Sequence, residues 1–319
     1  MSRTRKFALA ILAFLAAAPA ARALDKVNVG TAVWPIWAFL PLQVGVDEGI
    51  WPKYNIEPTI VNSGSGAKLF QALASGSVDL GLSSGVEMAF SAKGAPVKAV
   101  AAFAGEPRTV TIIVPAGSPV KAPPDLKGKI VAMPGVGSVS EWLLWQMEKA
   151  QGWSKADVKA NSAGSLGGAI ALIESRQADA AIGPPELGYM LEAQGKGHVA
   201  FSLAPFAPHF HAHVVYARDE LIDKNPDLVA RFLKGFFAAI DYMKTHKQET
   251  TAIAVRELHS TPEIMGRIWD ELAPWLDDKG TFDPQALAVL KQSYVDLQIL
   301  DRKPKDDEIL TTRFVPVKP

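Results

Sequence analysis

The chain repeats a pattern at a distance of 100 residues. Leu73, Ser75, Val78, Asp79, Gly81 and Leu82 are answered by Ile173, Ser175, Ala178, Asp179, Ala181 and Ile182. The matches sit inside a longer shared order of signals. The first copy opens with a strand-like run over residues 27–33, a Trp/Pro loop and an apolar helical stretch over residues 39–48 that stops at Gly49-Ile50-Trp51. A strand over residues 57–61 follows and runs into Asn62-Ser63-Gly64-Ser65-Gly66. A helix over residues 67–74 then leads to a strand over residues 80–82 that ends in Ser83-Ser84-Gly85. The second copy opens with a strand over residues 129–133 and a glycine loop, Pro134-Gly135-Val136-Gly137-Ser138. A helix over residues 139–149 comes next, then Asn161-Ser162-Ala163-Gly164-Ser165, and a strand over residues 180–182 that ends in Gly183-Pro184-Pro185-Glu186.

Strands alternating with helices require right-handed crossovers and a mostly parallel sheet. Two copies predict two α/β lobes built alike. Ligands of such sheets sit beyond the carboxyl ends of the strands, so a solute is expected between the two facing edges. The chain, 319 residues long, is large enough to give each lobe its own core.

The last third reads differently. Asn225-Pro226, Thr261-Pro262 and Asp283-Pro284 each place a capping side chain before a proline that has no N–H to lose. Leu228, Phe232, Gly235, Phe236 and Ala239 form an apolar stripe at helical spacing. The segment is expected to be helical, its aromatic residues serving as core.

At the other end, Arg3, Arg5 and Lys6 precede an apolar run over residues 7–18, and Ala21-Arg22-Ala23 offers small residues where a signal peptidase reads. The run is too short to span a bilayer, which takes roughly 20 residues, so residues 1–23 are expected to be a removed export signal. Without them the chain carries 33 − 4 = 29 Lys and Arg against 33 Asp and Glu, a net charge of −4. A mildly acidic protein is poorly suited to nucleic acid. The mature chain is expected to be soluble, monomeric and free of the membrane. With no cysteine, it has no site for an N-terminal lipid and no thiol nucleophile, thiolate metal site or iron–sulfur cluster.

Six pieces in order resemble the nitrate, sulfonate and taurine group of periplasmic solute-binding proteins. They are Thr31-Ala32-Val33-Trp34-Pro35; Val46-Asp47-Glu48-Gly49-Ile50-Trp51 with Asn55-Ile56-Glu57; Ala72-Leu73-Ala74-Ser75-Gly76-Ser77-Val78-Asp79-Leu80-Gly81; Ile113-Val114-Pro115-Ala116-Gly117-Ser118-Pro119; Asp125-Leu126-Lys127-Gly128-Lys129-Ile130; and Asn225-Pro226-Asp227 before a long helix. The resemblance covers about residues 26–245. It implies a two-lobed periplasmic binding protein fold of type II, with lobe 1 over residues 24–110, lobe 2 over residues 111–213, and a return to lobe 1 with C-terminal helices over residues 214–319. Chain crossings are expected near residues 108–114 and 211–217. It also implies hinge closure on a small molecule, no catalysis, no cofactor, and docking onto an ABC permease with its ATPase in the periplasm. Pyrimidine-forming enzymes of thiamine synthesis resemble the same group, but they use a cysteine-rich iron motif that this chain lacks. An exported sensory module is the other alternative.

The candidate ligand-binding residues lie at strand ends, helix starts and crossings. Ser63, Ser65 and Gly66 and, in the second copy, Gly137 and Ser138 precede helices, where free N–H groups and the dipole favour an anion; plain capping is the alternative. Gly135-x-Gly137-x-x-Ser140 also matches part of a dinucleotide fingerprint, with its third glycine missing. Ser84 ends the third strand. Trp34 and Trp37 lie past the first strand and could wall a ligand or, Trp37 equally, enter the core. Glu106 and Arg108 mark the first crossing and could bind a zwitterion or each other. Glu186 stands at the mouth of the second lobe, facing either ligand or solvent, and Glu87 is near that mouth in sequence. His209, His211 and His213 alternate, so on a strand they share one face; His211 is the expected ligand contact among them, and a metal site the lesser reading. The ligand is expected to be a small organic anion or zwitterion, sulfonate or taurine-like.

Overall fold

The computed structural model describes residues 23–318. The expected export segment therefore lies outside the described residues, apart from Ala23. In chain order the strands are β1 (Asp25–Thr31), β2 (Ile56–Asn62), β3 (Leu80–Ser83), β4 (Val97–Ala104), β5 (Thr111–Pro115), β6 (Ile130–Met133), β7 (Lys159–Ser162), β8 (Ala180–Gly183), β9 (Gly197–Ser202) and β10 (His213–Arg218). They form two five-stranded sheets, ordered β2-β1-β3-β10-β4 and β7-β6-β8-β5-β9. The two orders are the same plan. In each, three strands pair in parallel and one antiparallel strand is inserted before the last. The inserted strand is β10 in the first sheet and β5 in the second, so the strands that follow each crossing fill equivalent places.

The helices are α1 (Pro41–Asp47), α2 (Gly66–Ser75), α3 (Met88–Ala92), α4 (Val139–Ala150), α5 (Leu166–Glu174), α6 (Pro185–Ala193), α7 (Asp219–Lys224), α8 (Pro226–Thr245), α9 (Lys247–Glu257), α10 (Pro262–Leu272), α11 (Pro284–Asp296) and α12 (Asp306–Ile309). Among the described residues no helix is long and apolar enough to cross a membrane.

The repeat is legible atom by atom. Asp79 exchanges two hydrogen bonds with the backbone of Asn28, at 2.8 and 3.0 Å. Asp179 does the same with Ile130, at 2.8 and 2.9 Å. Ser75 Oγ donates to Ala72 O and Ser175 Oγ to Leu172 O. In both lobes a short acid thus satisfies the open end of the first parallel strand.

The helical tail is packed on the first lobe. The Asn225 side chain accepts from Leu228 N, and Pro226 occupies the first turn of α8. Trp51 stacks on Phe232 with ring centroids 5.2 Å apart. A Cβ at position 235 would lie 2.7 Å from the Trp51 ring, so this close approach requires Gly235 in mid-helix. Phe232 and Phe236 are completely buried; truncating either to alanine would cost about 3–5 kcal/mol. Isolated bridges from Ala99 to Leu310 and from Ala104 to Leu276 tie the end of the chain to β4.

Candidate functional site

A cavity of about 320 Å³ lies where the two sheets face each other. From the first lobe its wall takes Ala32, Val33, Ile36 and Phe39 after β1, residues 64–67 at the start of α2, Ser83 at the end of β3, and Ser84, Val86, Glu87, Ala89 and Phe90 after it. The second lobe contributes residues 134–140 between β6 and α4, residues 164–166 at the start of α5, and Ile182, Gly183 and Pro184 at the end of β8. Thr109 and Val110 come from the first crossing, His213 from the second, and Ile299 from the tail. The cavity thus occupies the place that parallel α/β sheets reserve for ligands, twice over.

Three helix starts converge on it. Ser65, Ser138 and Ser165 are their N-caps, and each side-chain oxygen accepts one N–H of the first turn. The remaining N–H groups of a first turn have no intrahelical acceptor and carry the positive end of the dipole. Among the described residues no lysine or arginine stands in the wall. The titratable groups there are Glu87 and His213. Burial raises the Glu87 carboxyl above the usual range, partly offset by the Ser84 hydroxyl, which donates to Oε2 at 2.5 Å. Desolvation pushes His213 down to about 3, so its ring is neutral at ordinary pH. His213 Nε2 lies 3.3 Å from Thr109 Oγ1, and its ring packs among Phe39, Phe103 and Trp275.

Of the candidate residues, Ser65, Gly66, Ser84, Gly137 and Ser138 lie on this wall. The other seven do not. Trp37 is wholly buried in the core because the 3₁₀ turn over Trp37–Phe39 turns its ring inward. Trp34 is half-buried, its carbonyl accepting from Asn62 Nδ2. Ser63 donates its N–H to Thr31 O, as part of the β1–β2 edge. Glu106 and Arg108 pair with each other at 3.1 Å. Glu186 is 3% exposed and sits between the lobes, where Oε1 accepts from Trp37 N at 3.3 Å. Desolvation raises its pKa to about 6. His211 is 4% exposed; its Nε2 accepts from Asp283 N at 3.0 Å, and burial lowers its pKa to about 4.

The three histidines do not share a face. Strand β10 begins only at His213, so the alternation does not reach back. His209 points outward towards Asp283, His211 inward, and His213 into the cavity wall. Sequence reading missed His213, Thr109 and Ser165 as wall residues. Ser165 had a signal, since it stands 100 residues after Ser65.

Residues 38–250 match the family described as NMT1/THI5 like. The chain is 27% identical over 232 residues to 4-amino-5-hydroxymethyl-2-methylpyrimidine phosphate synthase THI12 of Saccharomyces cerevisiae, covering 69% of this chain and 67% of that one. Among solved structures, the alkanesulfonate-binding protein SsuA from Xanthomonas axonopodis pv. citri, bound to MOPS, aligns with a TM-score of 0.74 at 18% identity, covering 92% of this chain and 96% of that chain. The periplasmic aliphatic sulphonate binding protein SsuA from Escherichia coli aligns with a TM-score of 0.75 at 18% identity, covering 90% and 92%. The fold is the two-lobed periplasmic binding protein fold. With well over half of its 319 residues matched, the chain belongs to the NMT1/THI5-like family.

Proposed function

We propose that this protein is the exported solute-binding subunit of an ABC importer, holding a small organic solute between its lobes and delivering it to a membrane permease with its ATPase. The observation that carries this reading is the cavity itself: it lies at the strand ends of both sheets, and the chain crosses between those sheets twice. Two connections of this kind can act as a hinge, and a solute that touches both walls favours the closed arrangement. The structural likeness to sulfonate-binding proteins supports the same role. The solute is a small organic anion or zwitterion, sulfonate or taurine-like, with an acidic end at the helix starts of the second lobe and its body against Ile36, Phe39 and Phe90.

A thermal-shift screen of sulfonates, amino acids, nitrate and heterocyclic amines tests the role, because a solute that binds only the folded state raises the midpoint. Mass spectrometry of the solute recovered from the protein separates binding from the catalytic reading suggested by the yeast relative. An unaltered solute supports the importer role; a chemically changed one replaces it with an enzyme.

A further inference from the structure

We propose that Glu87 sets the specificity of the cavity, selecting solutes that present an N–H donor, an ammonium or a ring-amino group, to the first lobe and rejecting simple anions. The inference rests on the reading that the inter-lobe cavity is the solute site.

Its first support is position. The Glu87 carboxyl lies directly over Gly66, the first residue of α2: a Cβ at that position would stand 2.3 Å from Oε1 and 2.7 Å from Cδ. The glycine makes room for the carboxyl. The positive end of α2 therefore already has an acidic group against it, and a second anion arriving from solvent would meet that group rather than a vacant helix start. The N-terminus of α4 is similar, since Gly137 N donates to Glu141 Oε2 at 2.6 Å and Glu141 pairs with Lys155. Neither α2 nor α5 has an acidic residue in its own first turn, but Glu87 lies against the start of α2, which leaves α5 as the freest of the three. The cavity is thus polarised, with its acidic pole in the first lobe and its freest helix start in the second.

The second support is the lack of a counter-charge. Among the described residues neither lysine nor arginine stands in the wall, and with His213 neutral none of them presents a cation to Glu87 across the cavity. Ser84 engages Oε2, while Oε1 lies beside Gly66 on the wall. Beyond the Ser84 hydroxyl, a carboxylate held in this partly buried place gains from a further donor or a cation, and here the solute can supply it. Phe39 and Phe90 leave apolar surface for the body of such a molecule.

The test is calorimetric titration of the full chain with probes matched except for one amino group: taurine against ethanesulfonate, 4-aminobenzenesulfonate against benzenesulfonate, and 2-aminopyridine against pyridine. The aminated member of a binding pair is expected to bind at least about tenfold tighter, as a charge-assisted hydrogen bond allows. Glu87→Gln should erase the difference. Equal affinity within pairs, or a preference that survives Glu87→Gln, overturns the proposal. If Glu87→Gln does not fold, the preference of the unaltered protein decides alone. If no pair binds but a wider solute library yields ligands, hits lacking an N–H donor sink the role of Glu87 and leave the importer reading standing, while hits that carry one support it. A library without a single hit sinks both.

Discussion

The backbone N–H of Trp37 donates to Oε1 of Glu186 at 3.3 Å, joining the turn after β1 in the first lobe to the start of α6 in the second. Glu186 Oε2 has no partner among the described residues. A carboxyl so placed is easier to bury protonated than ionised, which is why desolvation raises its pKa from 4.5 to about 6.

A pH dependence follows. The folded state binds the Glu186 proton more tightly than the unfolded state does, so this group stabilises the fold fully below pH 4.5, and that contribution is lost as pH rises through about 6. The difference amounts to about 2 kcal/mol. Glu186→Gln keeps an oxygen for the Trp37 N–H and carries no charge. It is expected to be more stable than the parent by on the order of 1–2 kcal/mol at pH 8, with the advantage gone at pH 4.5. Urea denaturation across that range checks this; a constant offset between the two proteins would refute it.

His211 works in the opposite direction. Burial lowers its pKa from 6.5 to about 4, against a smaller opposing pull from Asp283. Stability from this group is present above pH 6.5 and is lost as pH falls towards 4, by about 3 kcal/mol in all. Protonation would also remove the acceptor that Nε2 offers Asp283 N. Between pH 4.5 and 6 the Glu186 and His211 slopes oppose each other, so the parent is expected to show a flatter profile there than Glu186→Gln does. His211→Gln, which keeps an acceptor oxygen, should lose less stability on acidification than the parent. A steeper acid loss in that variant would contradict the assignment.

The strand–helix order and the glycine–serine loops are readable in the sequence because they rest on local chemistry. Ser65 and Ser138 cap helices, Asn225-Pro226 starts one, and the Asp79/Asp179 echo marks equivalent strands; each is decided within a few residues. What is not readable depends on where a side chain turns after the local element ends. Trp37 sits in a three-residue turn without a periodic face, so nothing in its neighbours tells core from cavity. The histidine alternation implies one face only if a strand runs through all three, and β10 starts at the last. Glu87 is near the mouth in sequence, yet its place over Gly66 depends on a contact spanning 21 positions (87 − 66).

A second link between the lobes joins α6 to α10. Tyr189 on α6 donates its hydroxyl to Glu271 on α10, at 2.8 Å to Oε2 and 3.0 Å to Oε1, and the Arg267 guanidinium stacks 3.6 Å from the Tyr189 ring centroid. Tyr189→Phe keeps the stacking and removes the hydroxyl, a loss of about 0.5–1.5 kcal/mol from the arrangement in which the lobes touch. The variant should populate a more open form, seen as a larger radius of gyration in solution scattering, and should release solute up to about tenfold faster. Unchanged scattering together with an unchanged release rate would dismiss Tyr189 as part of the closure.

Asp79 and Asp179 occupy equivalent places and satisfy equivalent backbone groups, but their side-chain partners differ. Asp79 Oδ1 meets Arg218 Nη2 at 3.0 Å, with the two side chains 23% and 20% exposed. Asp179 Oδ1 meets Lys129 Nζ at 3.5 Å, with exposures of 40% and 35%. Replacing either acid with asparagine can preserve the oxygen that accepts from Asn28 N or Ile130 N, so the comparison isolates the charged pair. In the second lobe the pair is long and wet, worth about 0–1 kcal/mol. In the first it is short and sheltered, and Arg218 Nε is already buried without a partner among the described residues. Removing the Asp79 charge leaves that guanidinium with Glu220, 57% exposed, as its remaining acidic contact. Asp79→Asn is therefore expected to lose about 1.5–3 kcal/mol, several times the loss for Asp179→Asn, read as the shift in urea midpoint at constant slope. Equal losses at the two sites would mean that the backbone hydrogen bonds, common to both lobes, carry the whole contribution of these acids.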